Sequence, residues 1–228
     1  MCGRFIAERP ASEIAELFQT RNAVPNYPAR YNVAPTQPVL AVRFNPKTRE
    51  RSLDALRWGL VPHWAKDLSI GSSLINARCE SIAEKPSFRE AFARRRCLIP
   101  TSGFYEWPKN GQNKRPFAVV PKDESQLFAF AGLWENWRDP SSENGEWVRT
   151  CTIVTTTANE LLAPFHPRMP VILDREAWPI WLGEEPAEPG TLLALLKPLP
   201  ADRLRIYPVG TEVNNVRNDD ASLLAAVE

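Results

Sequence analysis

The second residue of the chain is a cysteine, and its position matters more than its type. Removal of Met1 leaves Cys2 as the first residue, with an α-amine (reference pKa about 7.7–8.0) and a thiol (about 8.5) on adjacent carbons. Both are partly deprotonated near neutral pH, so one residue offers two nucleophiles. Gly3 next to it lets the backbone bend and lets a bulky reactant come close. Three other short stretches set polar groups among apolar ones: "INARCE" (75–80) with Asn76, Arg78 and Glu80; "GFYEW" (103–107) with Glu106; and "HPRMP" (166–170) with His166 and Arg168. Glu106 between Tyr105 and Trp107 is either a buried acid or the outward member of an alternating strand. His166 is either a proton carrier or a satisfied structural histidine, and "NAR" taken alone reads equally as a turn with a salt bridge.

The elements that must hold these residues are short. With 22 prolines, about twice the usual share, the chain favours strands and loops over a helical bundle. A short helix capped by Ser12 is expected, with Ile14, Leu17 and Phe18 on its apolar face. Strands are expected at 38–44, 51–58, 127–134 and 203–209, and a central β-branched one at 147–159. His166 then lies just beyond a strand end. Asn110-Gly111 marks a hairpin between β-prone arms, with Glu106 on the first arm. Helices are expected at about 174–182, with Asp174 as N-cap, and at about 190–196. The reading is α+β: a mainly antiparallel, barrel-like β core with short peripheral helices, in a single domain spanning 1–228.

Bulk composition narrows the function classes. Hydrophobic residues at 43% and charged residues at 24% describe a chain that folds. A formal charge of +1 gives no global nucleic-acid signature, so any basic surface is local, and Arg94-Arg95-Arg96 reads first as a solvated face. No apolar run is long enough to span a bilayer and no signal peptide is visible, so a cytoplasmic protein without membrane contact is expected. Cys2, Cys79, Cys97 and Cys151 show no C-x-x-C spacing, and His63 and His166 are the only histidines, so no metal site and no cofactor are expected.

In order along the chain, "MCGRF" (1–5), "RYNVAPTQ" (30–37), "RWGLVPHW" (57–64), "INARCE", "RCLIPTSGFYEW" (96–107) and "HPRMPVIL" (166–173) resemble the SRAP family. These are abasic-site processing proteins, also known as SOS-response-associated peptidases. The resemblance runs from residue 2 to "NNVRND" (214–219). It implies the SRAP fold and a substrate of single-stranded DNA containing abasic sites, met by a monomer, with replication-associated proteins as possible partners. The chemistry it implies suits a terminal cysteine. The α-amine attacks the ring-opened aldehyde to give a Schiff base. The thiol then adds to the imine carbon and closes a five-membered thiazolidine, which removes the electron sink that drives strand cleavage. No lysine or internal cysteine can close that ring.

By this resemblance Cys2 is the cross-linking nucleophile, and Asn76, Glu106 and His166 line its pocket. Glu106 would relay protons if its aromatic neighbours raise its pKa, His166 would pass a proton during ring closure and reversal, and Asn76 would orient the reactants without charge. Arg4, Arg78 and Arg168 would hold flanking phosphates, with Pro35 and Trp64 as groove residues. Trp58, Trp64 and Trp107 offer faces for base stacking, although most of the tryptophans are expected in the core. The chain departs from the commoner pattern at His63-Trp64-Ala65, where two aromatics often follow the "WG–P" motif, and at Pro167, where Asp often follows the histidine.

Other classes also start from a cysteine after Met1. An N-terminal-nucleophile glutamine amidotransferase uses the thiolate on an amide with the α-amine as base, but leaves the remaining motifs without a role. A non-catalytic damage sensor would bind strands without forming a bond. A peptidase that releases Cys2 itself would follow from the peptidase name of the family, and a weak lyase activity at the abasic site would be a side reaction of the cross-linking chemistry.

Overall fold

The computed structural model describes residues 2–108, 115–141 and 145–228. Asn110-Gly111 therefore lies outside the described residues, but both arms it was expected to join are strands paired antiparallel: β7 (Gly103–Glu106) and β8 (Phe117–Pro121). The remaining strands are β1 (Phe5–Ala7), β2 (Arg30–Val33), β3 (Pro38–Asn45), β4 (Glu50–Trp58), β5 (Asn76–Arg78), β6 (Arg96–Thr101), β9 (Phe128–Arg138), β10 (Trp147–Thr157), β11 (Arg168–Pro170) and β12 (Leu204–Pro208). Four short helices are α1 (Ala11–Leu17), α2 (Arg89–Arg94), α3 (Trp178–Leu182) and α4 (Pro189–Ala194).

One sheet closes on itself. Its order runs β10-β4-β3-β6-β9, and β9 pairs back to β10, so five strands form a barrel without a free edge. The alternation of each strand assigns its faces. Val39 and Ala41 of β3, Leu56 and Trp58 of β4, Cys97 and Ile99 of β6, Phe130 of β9, and Cys151 and Ile153 of β10 fill the interior. Leu40, Val42, Leu53, Leu98, Ala131 and Val154 point outward, into a second core roofed by Ile14, Phe92, Trp178, Trp181 and Leu192 of the helices. This is the α+β, mainly antiparallel, barrel-like fold expected; the parallel pairings are β10 with β4 and with β5.

The second sheet, in the order β12-β8-β7-β1-β2, lies across one mouth of the barrel. Phe5, Val33, Phe104 and Val119 face the barrel interior, while Ile6, Tyr105 and Ala118 face Val209, Val213 and Leu223 of the C-terminal segment. The N-terminus is thereby drawn over the barrel mouth, with Phe5 against Trp58 at 5.1 Å between ring centres.

Local chemistry shifts some expected boundaries. Helix α1 starts at Ala11 behind Pro10, and Ser12 is an exposed first-turn residue, not the cap, because the proline ring already fixes the entry dihedral (φ −55°). The segment after Asp174 opens as a 3₁₀ turn at 175–177 before α3, and Asp174 makes no capping bond from its side chain. It instead takes a 2.6 Å bond from Arg203. Gly183, in the left-handed region at φ 85°, ends α3. Among the described residues no helix is long and apolar enough to cross a membrane.

Candidate active site

Strand β10 outlasts the barrel it helps to close, and its free end organises the site. Up to Ile153 it pairs with β9; beyond that point β5 and β11 take its two edges, with Asn76 opposite Ile153, Arg78 opposite Thr155 and Arg168 opposite Thr157. Two glycines let the preceding loop return to that edge. Gly59 (φ 121°) ends β4, and a Cβ there would lie 2.6 Å from the Gly71 carbonyl oxygen, so the loop folds directly against the strand end. Trp58 then donates from Nε1 to the Ile75 carbonyl at 2.9 Å and sets the height of the next residue, Asn76.

Asn76 donates from Nδ2 to the Cys2 carbonyl at 2.8 Å, pinning the N-terminal backbone over the barrel mouth. Its Oδ1 is shut off from solvent and has no hydrogen-bond partner among the described residues. A buried acceptor of this kind costs about 1–3 kcal/mol, which makes it a natural receiver for a donor brought in by a reactant. Cys2 itself is fully buried, in the cluster of Phe5, Trp58, Phe104 and Met169. Burial, and then the nearby Glu106 carboxylate, push its thiol well above the ordinary thiol range.

Glu106 is a buried acid. The β1–β7 register sets Phe5 opposite Phe104, and Tyr105 donates its backbone N–H to the Arg4 carbonyl at 3.0 Å. Alternation along β7 puts Glu106 on the face of Phe104, toward Cys2, and it is 4% exposed. Burial pushes its carboxyl up to about 7, against the opposing pull of the N-terminal ammonium and of the Trp107 backbone N–H. A carboxyl with that pKa gives and takes protons equally well at neutral pH.

His166 stands between the turn at 160–165 and β11, half-buried, at the same end of β10. The Arg168 backbone N–H donates to its Nδ1 at 3.0 Å. The Arg168 carbonyl oxygen lies 3.2 Å from the same nitrogen, so Nδ1 accepts from the one or donates to the other according to the tautomer. The structure brings Asn76 and Glu106 to Cys2 itself and places His166 at the strand end that carries Asn76.

The expected phosphate and groove residues divide. Arg78 is exposed at the end of β5. Arg4 is half-buried; its Nη1 bonds Asn32 Oδ1 and the Val213 carbonyl, both at 2.7 Å, with the guanidinium 5.9 Å from the Trp107 ring. Arg168 is held in a fork by Glu80 and by the Thr155 carbonyl (2.6 Å). Pro35 is half-buried in the turn joining β2 to β3, and Trp64 is 51% exposed. Trp58 is no stacking face: it is fully buried, because the barrel needs its ring inside and its N–H on the Ile75 carbonyl.

Two scaffolding residues had no signal of their own in the sequence. Asn32, fully buried, donates to carbonyls of Val213, Asn215 and Asn218, and Asp219 accepts from the backbone N–H groups of Tyr31 (2.5 Å) and Asn32 (2.9 Å) and pairs with Arg30. Both sit in stretches, "RYNVAPTQ" and "NNVRND", that stood out by resemblance alone. Together they strap the C-terminal segment to β2, beside Arg4.

Among the described residues no cluster of His, Cys, Asp and Glu suits a metal ion. Cavities of about 650 Å³ beside Trp178 and about 530 Å³ beside Trp134 lie away from Cys2.

Comparison with known proteins gives the family. The family model "SOS response associated peptidase (SRAP)" matches residues 1–216. The chain is 43% identical over 227 residues to abasic site processing protein YoqW of Bacillus subtilis, covering 98% of this chain and 99% of that one. It is 30% identical over 233 residues to abasic site processing protein YedK of Escherichia coli, across the whole of both. A crystal structure of a protein from Bacteroides thetaiotaomicron superposes over the full length of both chains with a TM-score of 0.88 at 26% identity. With the family model spanning nearly all of it and two full-length relatives alongside, the chain belongs to the SRAP family.

Proposed function

We propose that this protein processes abasic sites in single-stranded DNA by linking itself to them through Cys2, and that the product is a thiazolidine. The observation that carries the reading is the pairing of a terminal cysteine, pinned at its carbonyl by Asn76, with a buried acid of pKa about 7 on the facing strand. The names of the relatives, abasic site processing proteins, point to the same substrate.

The steps follow from the residues. Loss of Met1 frees the Cys2 α-amine. Because the buried thiol stays protonated at neutral pH, the amine is the group that attacks the aldehyde carbon first. The carbinolamine loses its hydroxyl as water, with the proton supplied by Glu106, and an imine forms. The thiol sulfur then bonds to the imine carbon while its proton passes to the imine nitrogen, with Glu106 within electrostatic reach as carrier. His166 serves the sugar hydroxyl as a proton carrier. Closing the ring consumes the imine before it can promote elimination of the 3′ phosphate, so the strand survives. Arg78 and the ring of Trp64, both exposed, are open to the strand's phosphates and bases.

The test mixes the protein with a single-stranded oligonucleotide carrying one abasic site, resolves the products under denaturing conditions and weighs them by intact mass spectrometry. The expected product has the mass of the strand plus the chain lacking Met1, less one water, and Cys2→Ala yields none. A chain that has lost Met1 and still forms no adduct overturns the reading.

A further inference from the structure

The Arg168 guanidinium, which resemblance places in the phosphate-binding set, already holds an anion. Glu80 approaches it with both carboxylate oxygens, Oε2 at 2.9 Å from Nη2 and Oε1 against Nη1. This is the two-pronged geometry in which a guanidinium takes a phosphate. The rest of the fork is fixed by the protein: Nη2 also donates to the Thr155 carbonyl at 2.6 Å. The two partners differ in exposure. The Arg168 side chain is 14% exposed and the Glu80 side chain 53%. The cation is thus built into the end of β10, while the carboxylate is laid over it from the 3₁₀ turn at 79–81, on the solvent side. The Arg168 hydrogen bond holds the Glu80 carboxyl below its ordinary range, so the pair is intact at neutral pH.

We propose that Glu80 is an internal stand-in for a strand phosphate, occupying the Arg168 fork in the free protein and giving way to the DNA backbone on binding. The exchange swaps one anion for another on a fixed cation and forms or breaks no covalent bond. Its consequence is that Arg168 is never left uncompensated, and that a ligand must outcompete Glu80 to reach it. A weakly anionic partner does not, so the site discriminates for a phosphodiester placed at the fork. Glu80 acts through Arg168 and is a positioning residue. The inference rests on the DNA-binding reading of the site.

The experiment measures equilibrium binding of a fluorescent, undamaged single-stranded oligonucleotide, so that covalent chemistry plays no part, across a series of salt concentrations. Wild type is compared with Glu80→Gln, which keeps the shape and loses the charge, and with Glu80→Asp, which keeps the charge. Glu80→Gln is expected to bind up to about fivefold more tightly at low salt, the scale of one partly exposed ion pair. The slope of log K against log salt should steepen, by less than the about 0.7 that a whole further phosphate would add, because in wild type the carboxylate released from the fork draws a cation back and in Glu80→Gln nothing does. Glu80→Asp should keep the wild-type slope. In an Arg168→Gln background, the Glu80→Gln change should alter neither quantity. If Glu80→Gln binds no more tightly, with an unchanged slope, Glu80 only braces the fold and the proposal fails. If wild type binds no strand at all, the DNA reading fails with it. A merely structural role moves the melting temperature and leaves the salt slope alone.

Discussion

The two mouths of the barrel handle buried charge in opposite ways. Continuing the inward alternation of β3, β4, β9 and β10 away from Cys2 leads to Arg43, Asp54, Trp134 and Arg149. There Asp54 Oδ2 accepts from Arg43 Nε (3.0 Å), Arg43 Nη2 (2.7 Å) and Ser52 Oγ (2.6 Å), Arg149 approaches its other oxygen, and the Arg43 guanidinium lies 4.4 Å from the Trp134 ring. Arg43 and Arg149 both meet Asp54 there. At the other mouth Glu106 is more deeply buried, its carboxyl is raised to about 7, and Asn76 keeps an acceptor with no partner among the described residues. An ion pair at one mouth compensates the charge of its carboxylate, whereas burial beside Cys2 at the other raises the acid toward neutrality, the state that the proposed chemistry would use.

Glu106→Gln makes the sharpest test of this contrast. It should slow adduct formation by about 10²–10⁴, the scale of general acid–base catalysis, and abolish the inflection near pH 7 in the wild-type rate profile. Stability should move the other way. In wild type the folded carboxyl binds its proton more tightly than the unfolded one, whose pKa is 4.5. Wild type therefore loses stability as pH rises from about 4.5 to about 7, and the loss persists above that. Glu106→Gln should erase the dependence and gain up to about 3 kcal/mol relative to wild type between pH 4 and pH 8. Denaturant melts at the two pH values measure it, and parallel pH profiles for the two proteins would break the comparison.

Asp54→Ala should do the reverse at the far mouth. Removing the carboxylate leaves Arg43 and Arg149 facing each other, at a cost of about 2 kcal/mol for a pair this well covered (14% and 18% exposed side chains). Thermal unfolding should show that loss, while the adduct rate stays at the wild-type value. A fall in rate equal to that of Glu106→Gln would mean that the two ends are not separate. The smallest effect is expected at an exposed ring, where Trp64→Ala should weaken binding of an undamaged single strand by about 1 kcal/mol, the low end of one stacked base. The melting temperature should hold, and unchanged binding would remove Trp64 from the strand's path.

Much of the scaffold was legible in the chain because its signals are local. The alternation at 38–44 and the β-branched run at 147–159 appear as β3 and β10, since a strand's two faces are written in adjacent residues. β5 and β11, at three residues each, were missed as strands because such pieces hold only through their partner, here the end of β10. The site divides along the same line.

The sequence by itself determined the reagents: a cysteine at position 2, an acid between aromatics, and an amide, a histidine and arginines in recognisable motifs. Only the tertiary structure decided where each one sits and what it touches. Whether Glu106 faces water or Cys2 depends on the register of β1 against β7. That Asn76 grips the Cys2 carbonyl is a contact across 74 residues, and that Glu80 rather than solvent fills the Arg168 fork is one across 88. Burial and pairing are properties of such long-range contacts, and the free energy of an ionisable group is set by them far more than by its neighbours in sequence.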